Sequence, residues 1–375
     1  MYILSRKELK KMGLNNIDVM QTILSKVDGR QGSLIIRGLP IEKLAKSEGL
    51  ESMAVRLWQD FTPEQNTVET VILALGQARK RAFEILPTII KATSHLSTIE
   101  ALRLAIASLS DDEKILHHYL VTGAIPVFLA AITRNKQGLS LIAPNENLTQ
   151  AEDFLRMLNG TDKANKLLAQ ALDKYLVTVC EHGMNASTFT ARVITSTRAG
   201  LISAVIGAIS ALKGPLHGGA PGPVLDMLDN IGTEENIDNW INNELSKGKR
   251  LMGFGHRIYQ VRDPRADVLK KVVAELRENG NSRLDFAEKV EKQALQILAR
   301  HKPEKPLHTN VEFYTALVLE AVGLQRELFT SVFAMGRVIG WIAHIFEQEK
   351  TGRLIRPESE YIGLMQEQVA NKTVA

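Results

Sequence analysis

The stretch Leu201-Ile202-Ser203-Ala204-Val205-Ile206-Gly207-Ala208-Ile209-Ser210-Ala211-Leu212 is apolar nearly all round, and the run Gly214 to Pro223 just after it holds four glycines and three prolines in ten residues. A helix that is apolar on every side has to be covered on every side. Ser203, Gly207, Ala208 and Ala211 are small enough to let another backbone come close. Two placements satisfy the pattern: a central core helix, or a helix packed across a dimer interface. The glycine- and proline-rich run reads as a loop, with the next helix starting at Pro223-Val224-Leu225.

Working outward from this helix, helix-start signals recur. Ser97-Thr98-Ile99-Glu100, Ser110-Asp111-Asp112-Glu113 and Thr149-Gln150-Ala151-Glu152 have the spacing of capping boxes, in which the hydroxyl takes one orphan amide and the acid reaches back to another. Thr62-Pro63-Glu64-Gln65 puts a proline at an expected first helical position. Apolar residues then recur every three or four, as at Leu102, Ala105 and Leu109. Strand signals are sparse: Asp28-Gly29-Arg30-Gln31-Gly32 followed by Ser33 to Ile36 reads as one small hairpin. The pattern predicts a mainly α fold with a small N-terminal β-hairpin.

A polar, charged region runs from Thr233 to Arg250 and from Arg262 to Lys305, and apolar helical character returns at Phe313 to Ala321 and Leu328 to Phe346. The shift predicts a large helical domain, residues 1–219 and 316–375, with a smaller helical domain, 220–315, inserted into it and a cleft at its edges. Residues after Leu364 read as a polar tail.

Composition narrows the function classes. The chain has 375 residues, 45 % hydrophobic and 23 % charged, with a net charge of +4. That charge is mild, and no basic tract or nucleic-acid motif accompanies it, so nucleic acid is not an expected partner. Anionic small molecules fit it equally well. Cys180 is the only cysteine, which excludes an intrachain disulfide and a cysteine metal site. The first residues lack a signal-peptide hydrophobic region, and the longest apolar runs, Ala124 to Ile132 and Leu201 to Leu212, have the length of core helices. A cytoplasmic protein without a membrane partner is expected.

A few polar residues stand in settings suited to chemistry. His217 lies in Gly214-Pro215-Leu216-His217-Gly218-Gly219-Ala220. Placed before a helix N-terminus, its neutral form is favoured, and a neutral imidazole can donate to an enolate-like oxygen. The alternative is a tight turn with an exposed histidine. His256, in Gly253-Phe254-Gly255-His256-Arg257, is a candidate general acid. Arg265, after Asp263-Pro264, is placed to grip a carboxylate. Arg337 sits in the apolar run Phe333 to Trp341 and needs either a bound carboxylate or an internal acid as partner. Arg356, in Leu354-Ile355-Arg356-Pro357, is another cation among apolar residues. His182 lies between two helices, and its offset of two from Cys180 argues against a nucleophile pair. No convincing metal-ligand spacing is present, and His117-His118 do not converge. Glu312, in Asn310-Val311-Glu312-Phe313-Tyr314, is the candidate base.

Together and in this order, these segments resemble the citrate synthase family. Glu181 to Phe189 resembles its His-x-x-Asn-Ala-Ser segment, Gly214 to Ala220 its Gly-Pro-Leu-His-Gly-Gly-Ala loop, and Gly253 to His256 with Asp263-Pro264-Arg265 its Gly-x-Gly-His and Asp-Pro-Arg pair. Arg337 and Arg356-Pro357 match two further arginine sites, and Asp28 to Gly38 its N-terminal hairpin. The similarity spans roughly residues 14 to 363. It implies an all-helical homodimer whose small domain closes over the cleft, condensing acetyl-CoA with oxaloacetate and water to citrate and CoA. Glu312 would take the methyl proton, His217 would stabilise the enolate and His256 would bind and protonate the oxaloacetate carbonyl. His182, Arg265 and Arg337 would hold oxaloacetate, Arg356 would reach the neighbouring subunit's site, and Gly218, Gly219 and Ala220 would meet the CoA substrate. No permanently bound cofactor is implied.

Departures from the family pattern are as informative. Glu312 stands where aspartate is usual, which moves the carboxylate by about a bond length. Ala220-Pro221-Gly222 replaces an asparagine-containing turn, and Pro221 has no amide hydrogen to offer. Gln260 stands where a basic residue is common, and Ile36 where tyrosine is frequent. These leave 2-methylcitrate synthesis from propionyl-CoA, and a non-catalytic ligand-binding relative, as alternatives.

Overall fold

The computed structural model describes residues 20–363 except 64–65, 111–115, 219–220, 257, 279–281, 302, 305–306 and 360, with the backbone alone at Pro221 and Ser282. Among the described residues the only sheet is three-stranded and antiparallel: β1 Ser25–Asp28, β2 Ser33–Ile36 and β3 Leu39–Pro40, in that order. Ser25 pairs with Ile36 and Asp28 with Ser33, so the predicted hairpin forms with a turn at residues 29–32. Ile36 is fully buried beneath it, where an apolar side chain needs no polar partner.

Helices make up the rest of the regular structure. The first seven are α1 Ile41–Ser47, α2 Leu50–Trp58, α3 Val68–Thr93, α4 Thr98–Ala107, α5 His117–Lys136, α6 Gln150–Asn159 and α7 Lys166–Val179. They are followed by α8 Ala186–Ser196, α9 Leu201–Leu212, α10 Pro221–Ile231, α11 Ile237–Ser246, α12 Pro264–Arg277, α13 Ser282–His301, α14 Val311–Ala321 and α15 Phe329–Thr351. The capping boxes at Ser97/Glu100 and Thr149/Glu152 form as their spacing predicts. The one at Ser110 to Glu113 and the tail after Leu364 lie outside the described residues.

Three local expectations are corrected. Thr62-Pro63 does not open a helix: α3 starts at Val68, because Thr67 and Thr70 cap each other's amides there. The helix after His217 starts at Pro221 and not at Pro223, since proline is tolerated throughout a first turn, where amides are unpaired anyway. One helical span, Arg326–Thr351, is long and apolar enough to cross a membrane, contrary to the sequence reading. It is 89 % buried inside the fold over its apolar window, which makes it the central core helix.

That helix, α15, organises the packing. It touches α2, α5, α7, α8 and α9, and Trp58 donates its indole N–H to the Ile339 carbonyl at 3.0 Å. α9 packs on α8 so closely that a Cβ on Gly207 would lie 2.1 Å from Ile194 Cδ1. Beside Gly207 on the same side of α9, Ser203 and Ile206 are only partly covered within the chain and Ser210 is exposed. α12 and α14 pack together and both rest on α7, which places the loops before them over the His182 loop at the end of α7.

A buried ion pair holds the far end of the bundle. Arg79 Nε meets Asp153 Oδ2 at 2.9 Å with both side chains fully buried, and Asp153 also accepts the Asn145 amide. Removing one partner leaves a charge buried alone. Asp153→Ala is expected to cost about 3–5 kcal/mol in chemical denaturation.

Candidate active site

Two loops carry the site, and they are zipped together by backbone bonds. Gly255 donates to the His308 carbonyl at 2.8 Å and Asn310 to the Gly253 carbonyl at 2.9 Å, around an antiparallel bridge between Phe254 and Thr309. The Asn310 side chain donates to the Gly255 carbonyl at 2.7 Å and accepts the Glu312 amide at 3.0 Å, capping α14. His256 and Glu312 are therefore held at a set separation by one ladder. Below it, buried Glu291 accepts hydroxyls from Thr309 at 2.6 Å and from Tyr314 at 2.5 Å, on either side of Glu312. A cleft of about 790 Å³ opens beside His256 and Asn310, with Lys249, Arg250 and Gln260 also on its wall.

His256 has one defined tautomer. Its Nδ1 accepts the amides of Ile258 and Tyr259 at 3.0 and 3.1 Å, so the single proton of the neutral ring is on Nε2. Burial, and then the Arg265 guanidinium 3.4 Å from Nε2, push its pKa down to about 4. Arg265 itself is clamped by Asp263, Nε to Oδ1 at 3.1 Å and a terminal nitrogen to Oδ2 at 2.9 Å. Asp263 also caps α12, accepting the Arg265 amide at 3.0 Å.

His217 is half-buried, and its Nε2 meets Ser187 Oγ at 2.8 Å. Its pKa is pushed down to about 4. The neutral ring was expected, and its first cause here is burial and its second the Arg337 cation. Ser187 Oγ accepts the Trp341 indole N–H at 3.0 Å and lies 2.7 Å from Asn185 Oδ1, so its one hydrogen has two acceptors within reach. Gly218 is buried, its amide donating to the Leu212 carbonyl at 3.0 Å and its carbonyl accepting the Thr330 hydroxyl at 3.0 Å, so its backbone groups are already engaged. Gly219 and Ala220 lie outside the described residues.

His182 is buried in the loop after α7, with Nε2 3.1 Å from the Tyr259 hydroxyl. Burial, then Arg265 and Arg337, hold its pKa well below the ordinary value. Arg337 donates Nε to the Val179 carbonyl and stacks its guanidinium 4.8 Å from the Phe333 ring centre. Among the described residues no carboxylate lies within ion-pair distance of it, and the largest opposite charge acting on it is the buried Glu181. Burial lowers its pKa to about 10.

No hydrogen bond or ion pair engages the Glu312 carboxylate among the described residues. Burial raises its pKa to about 7, with Asp263 adding to the rise and Arg265 and Arg337 opposing it. Glu312, His256, His217, His182, Arg265 and Arg337 thus lie within one electrostatic neighbourhood. Arg356 is not brought there: it is exposed, beside Ile355 whose amide donates to Ser196 Oγ at 3.1 Å at the end of α8. Ser187, Tyr259 and Glu291 were not singled out from the sequence. Asn310 and Asp263 were within reach, because Asn-Val-Glu and Asp-Pro-Arg are also N-cap signatures. Among the described residues no group of histidines, cysteines and carboxylates is arranged to hold a metal.

Comparisons with known proteins give the family. A family profile described as "Citrate synthase, C-terminal domain" matches residues 13–358. The citrate synthase of Haloferax volcanii is 35 % identical over 95 % of this chain and 96 % of its own length. Citrate synthase 2 of Bacillus subtilis is 34 % identical over 87 % of this chain and 89 % of its own. The crystal structure of Thermotoga maritima citrate synthase superposes with a TM-score of 0.83 at 33 % identity, covering 95 % of this chain and 96 % of that one. The chain belongs to the citrate synthase family, and it is an acyltransferase. A further neighbour, from Thermoplasma acidophilum, is a ternary complex of citrate synthase with carboxymethyl coenzyme A and oxaloacetate, with TM-score 0.82 and 26 % identity over 94 % of this chain and 96 % of that one.

The raised Glu312 pKa has a sign in stability. The folded carboxyl binds its proton more tightly than the unfolded one, so its contribution is present below its ordinary value of 4.5 and is lost as pH rises through about 7. Glu312→Gln is expected to remove that loss, giving a flatter denaturation midpoint between pH 5 and 8 than the parent protein.

Proposed function

We propose that this enzyme condenses acetyl-CoA with oxaloacetate and water to give citrate and CoA. The observation that carries the reading is a half-buried carboxylate, Glu312, with no internal partner and a pKa of about 7, set among neutral imidazoles and buried guanidiniums. Carboxylates of that kind are poised as bases near neutral pH.

Glu312 takes a proton from the acetyl methyl group, and the C–H electron pair becomes the enolate. With the Ser187 hydroxyl donating to Nε2 of His217, the proton of that ring is on Nδ1 and meets the thioester oxygen as its charge grows. A neutral donor suits this task, because it stabilises the developing oxyanion without a full cation beside the base. The enolate carbon then attacks the keto carbon of oxaloacetate, and the carbonyl electrons move onto oxygen. That oxygen receives the Nε2–H hydrogen bond of His256 next to the Arg265 charge and takes that proton, which solvent restores to the ring. Water cleaves the thioester and releases the CoA thiol. Arg337, with its terminal nitrogens uncommitted to any carboxylate, and His182 with Arg265, hold the dianion. The 790 Å³ cleft with Lys249 and Arg250 on its wall suits the phosphates and adenine of CoA.

We further propose that residues 220–315 close over the large domain, and that two chains pair through α8 and α9. The incompletely covered Ser203, Ile206 and Ser210 stripe supports this pairing, as does the strap of Arg356 lying against the end of α8. Arg356 then serves the neighbouring subunit.

Purified protein is expected to release free thiol from acetyl-CoA only with oxaloacetate present, with kcat/KM rising through about pH 7 as Glu312 ionises. Glu312→Gln should lose nearly all turnover. Glu312→Asp should lose about tenfold to a hundredfold, because the ladder at Gly253, Gly255 and Asn310 and the Glu291 clamp keep the backbone from advancing by a methylene. The same assay with propionyl-CoA sets the acyl preference, and no release at high enzyme concentration ends the proposal.

Arg356 acting across the interface has its own test. Arg356→Gln and Glu312→Gln preparations, each inactive, should on mixing and subunit exchange recover about a quarter of parent activity, since half the dimers carry one complete site. No recovery would place Arg356 outside the partner's site.

A further inference from the structure

The N-terminal hairpin touches the site from both ends, and no step of the proposed reaction uses it. At its stem, the Ser25 hydroxyl donates to Glu181 Oε1 at 2.7 Å, and the same oxygen takes the Gly183 amide at 2.7 Å. Val27 Cγ2 stands 3.2 Å from where a Cβ on Gly183 would be. The stem is therefore packed on the loop that carries His182.

At the other end, the Gln260 amide donates to the Gly29 carbonyl at 2.8 Å. A Cβ on Gly29 would lie 2.1 Å from the Ile258 carbonyl oxygen and 2.7 Å from its carbon. Ile258 and Tyr259 are the residues whose amides hold Nδ1 of His256 and so fix its tautomer and ring direction. The hairpin tip thus rests on the peptide groups that orient this imidazole. Gly29 is not a residue that its own backbone requires, because it is not among the glycines with positive φ. Glycine there answers the close approach of another backbone alone.

We propose that the hairpin turn is a positioning element for His256, with Gly29 as its positioning residue. The contact of Gly29 with the Ile258 to Gln260 peptides sets the height of the loop, and with it the position at which the Nε2–H of His256 meets the substrate carbonyl. Ser25, at the stem, ties the same hairpin to the His182 loop, so the two loops that grip the keto-acid keep their register through it. This rests on the reading of His256 as the group that polarises oxaloacetate.

Gly29→Ala isolates the contact, since alanine is unstrained at that backbone conformation while its methyl must displace the Ile258 carbonyl. Displacements near 1 Å cost about tenfold to a hundredfold in rate. The expected result is a loss of that size in kcat/KM for oxaloacetate. The 13C signal of the keto carbon of bound oxaloacetate should also move back toward its free position, because a weaker hydrogen bond polarises it less. Gly38→Ala is the control: that glycine has φ of 84° and nothing within 4 Å of its Cβ position, so it strains the same hairpin without touching the loop. It should lower the unfolding midpoint and leave the keto-carbon signal unchanged. Ser25→Ala, a substitution without steric cost, should raise KM for oxaloacetate by about two- to fivefold, the worth of one hydrogen bond. Parent-like kcat/KM and carbonyl signal in both Gly29→Ala and Ser25→Ala overturn the inference. A parent protein with no oxaloacetate-dependent thiol release overturns the functional reading instead, which is a separate result.

Discussion

A guanidinium buried without a carboxylate in contact is the constraint around which the rest of this molecule is arranged. Arg337 is almost fully buried in the core helix, with a backbone carbonyl and an aromatic face as its neighbours. Such a charge is costly to desolvate, and the buried Glu181 carboxylate offsets the cost from a distance without contact. The field of Arg337 reaches outward. It helps keep His182 and His217 neutral, and it works against the rise in the Glu312 pKa. The buried Arg337 cation therefore also biases the protonation of the histidines and the glutamate around it.

The surrounding polar network explains how such a site is tolerated in an apolar bundle. The fully buried Glu181 carboxylate accepts three donors on one oxygen: Ser25, Gly183 and His344. His344 can donate from Nε2 because its Nδ1 takes an N–H from Arg192 at 3.1 Å. Arg192 in turn pairs with Glu347, which accepts the Ile23 amide at 2.8 Å. Each group is oriented by the next, so the chain of bonds fixes the His182 loop, the hairpin and the C-terminal helix together. Networks of this kind are stable when nearly every member is satisfied. Here the remaining buried oxygen, Glu181 Oε2, has no partner and acts electrostatically on Arg337.

The glutamate at position 312 fits this picture. A longer side chain needs a backbone that sits further back, and the ladder between residues 253–255 and 308–310 holds the backbone where it is. Packing there is tight as well: a Cβ on Gly253 would lie 2.9 Å from Phe313 Cβ.

The sequence by itself determined the helical fold, the hairpin and the order of the site segments, because capping boxes, apolar spacing and glycine-rich turns are local signals that need no partner to be read. His217, His256, Glu312, Arg265 and Arg337 were legible as candidates for the same reason: each stands in a setting that its own neighbours do not explain. Only the tertiary structure decided their states. Neutral His217 follows from burial and a cation more than a hundred residues away in the chain, and the tautomer of His256 from two amides that point inward only when its loop is folded. The roles of Ser187, Tyr259 and Glu291, and the approach of Gly29 to the His256 loop, came from contacts between distant segments, and no residue spacing encodes those. Local bonding leaves its pattern in neighbouring letters; electrostatics and close approach depend on which surfaces finally meet.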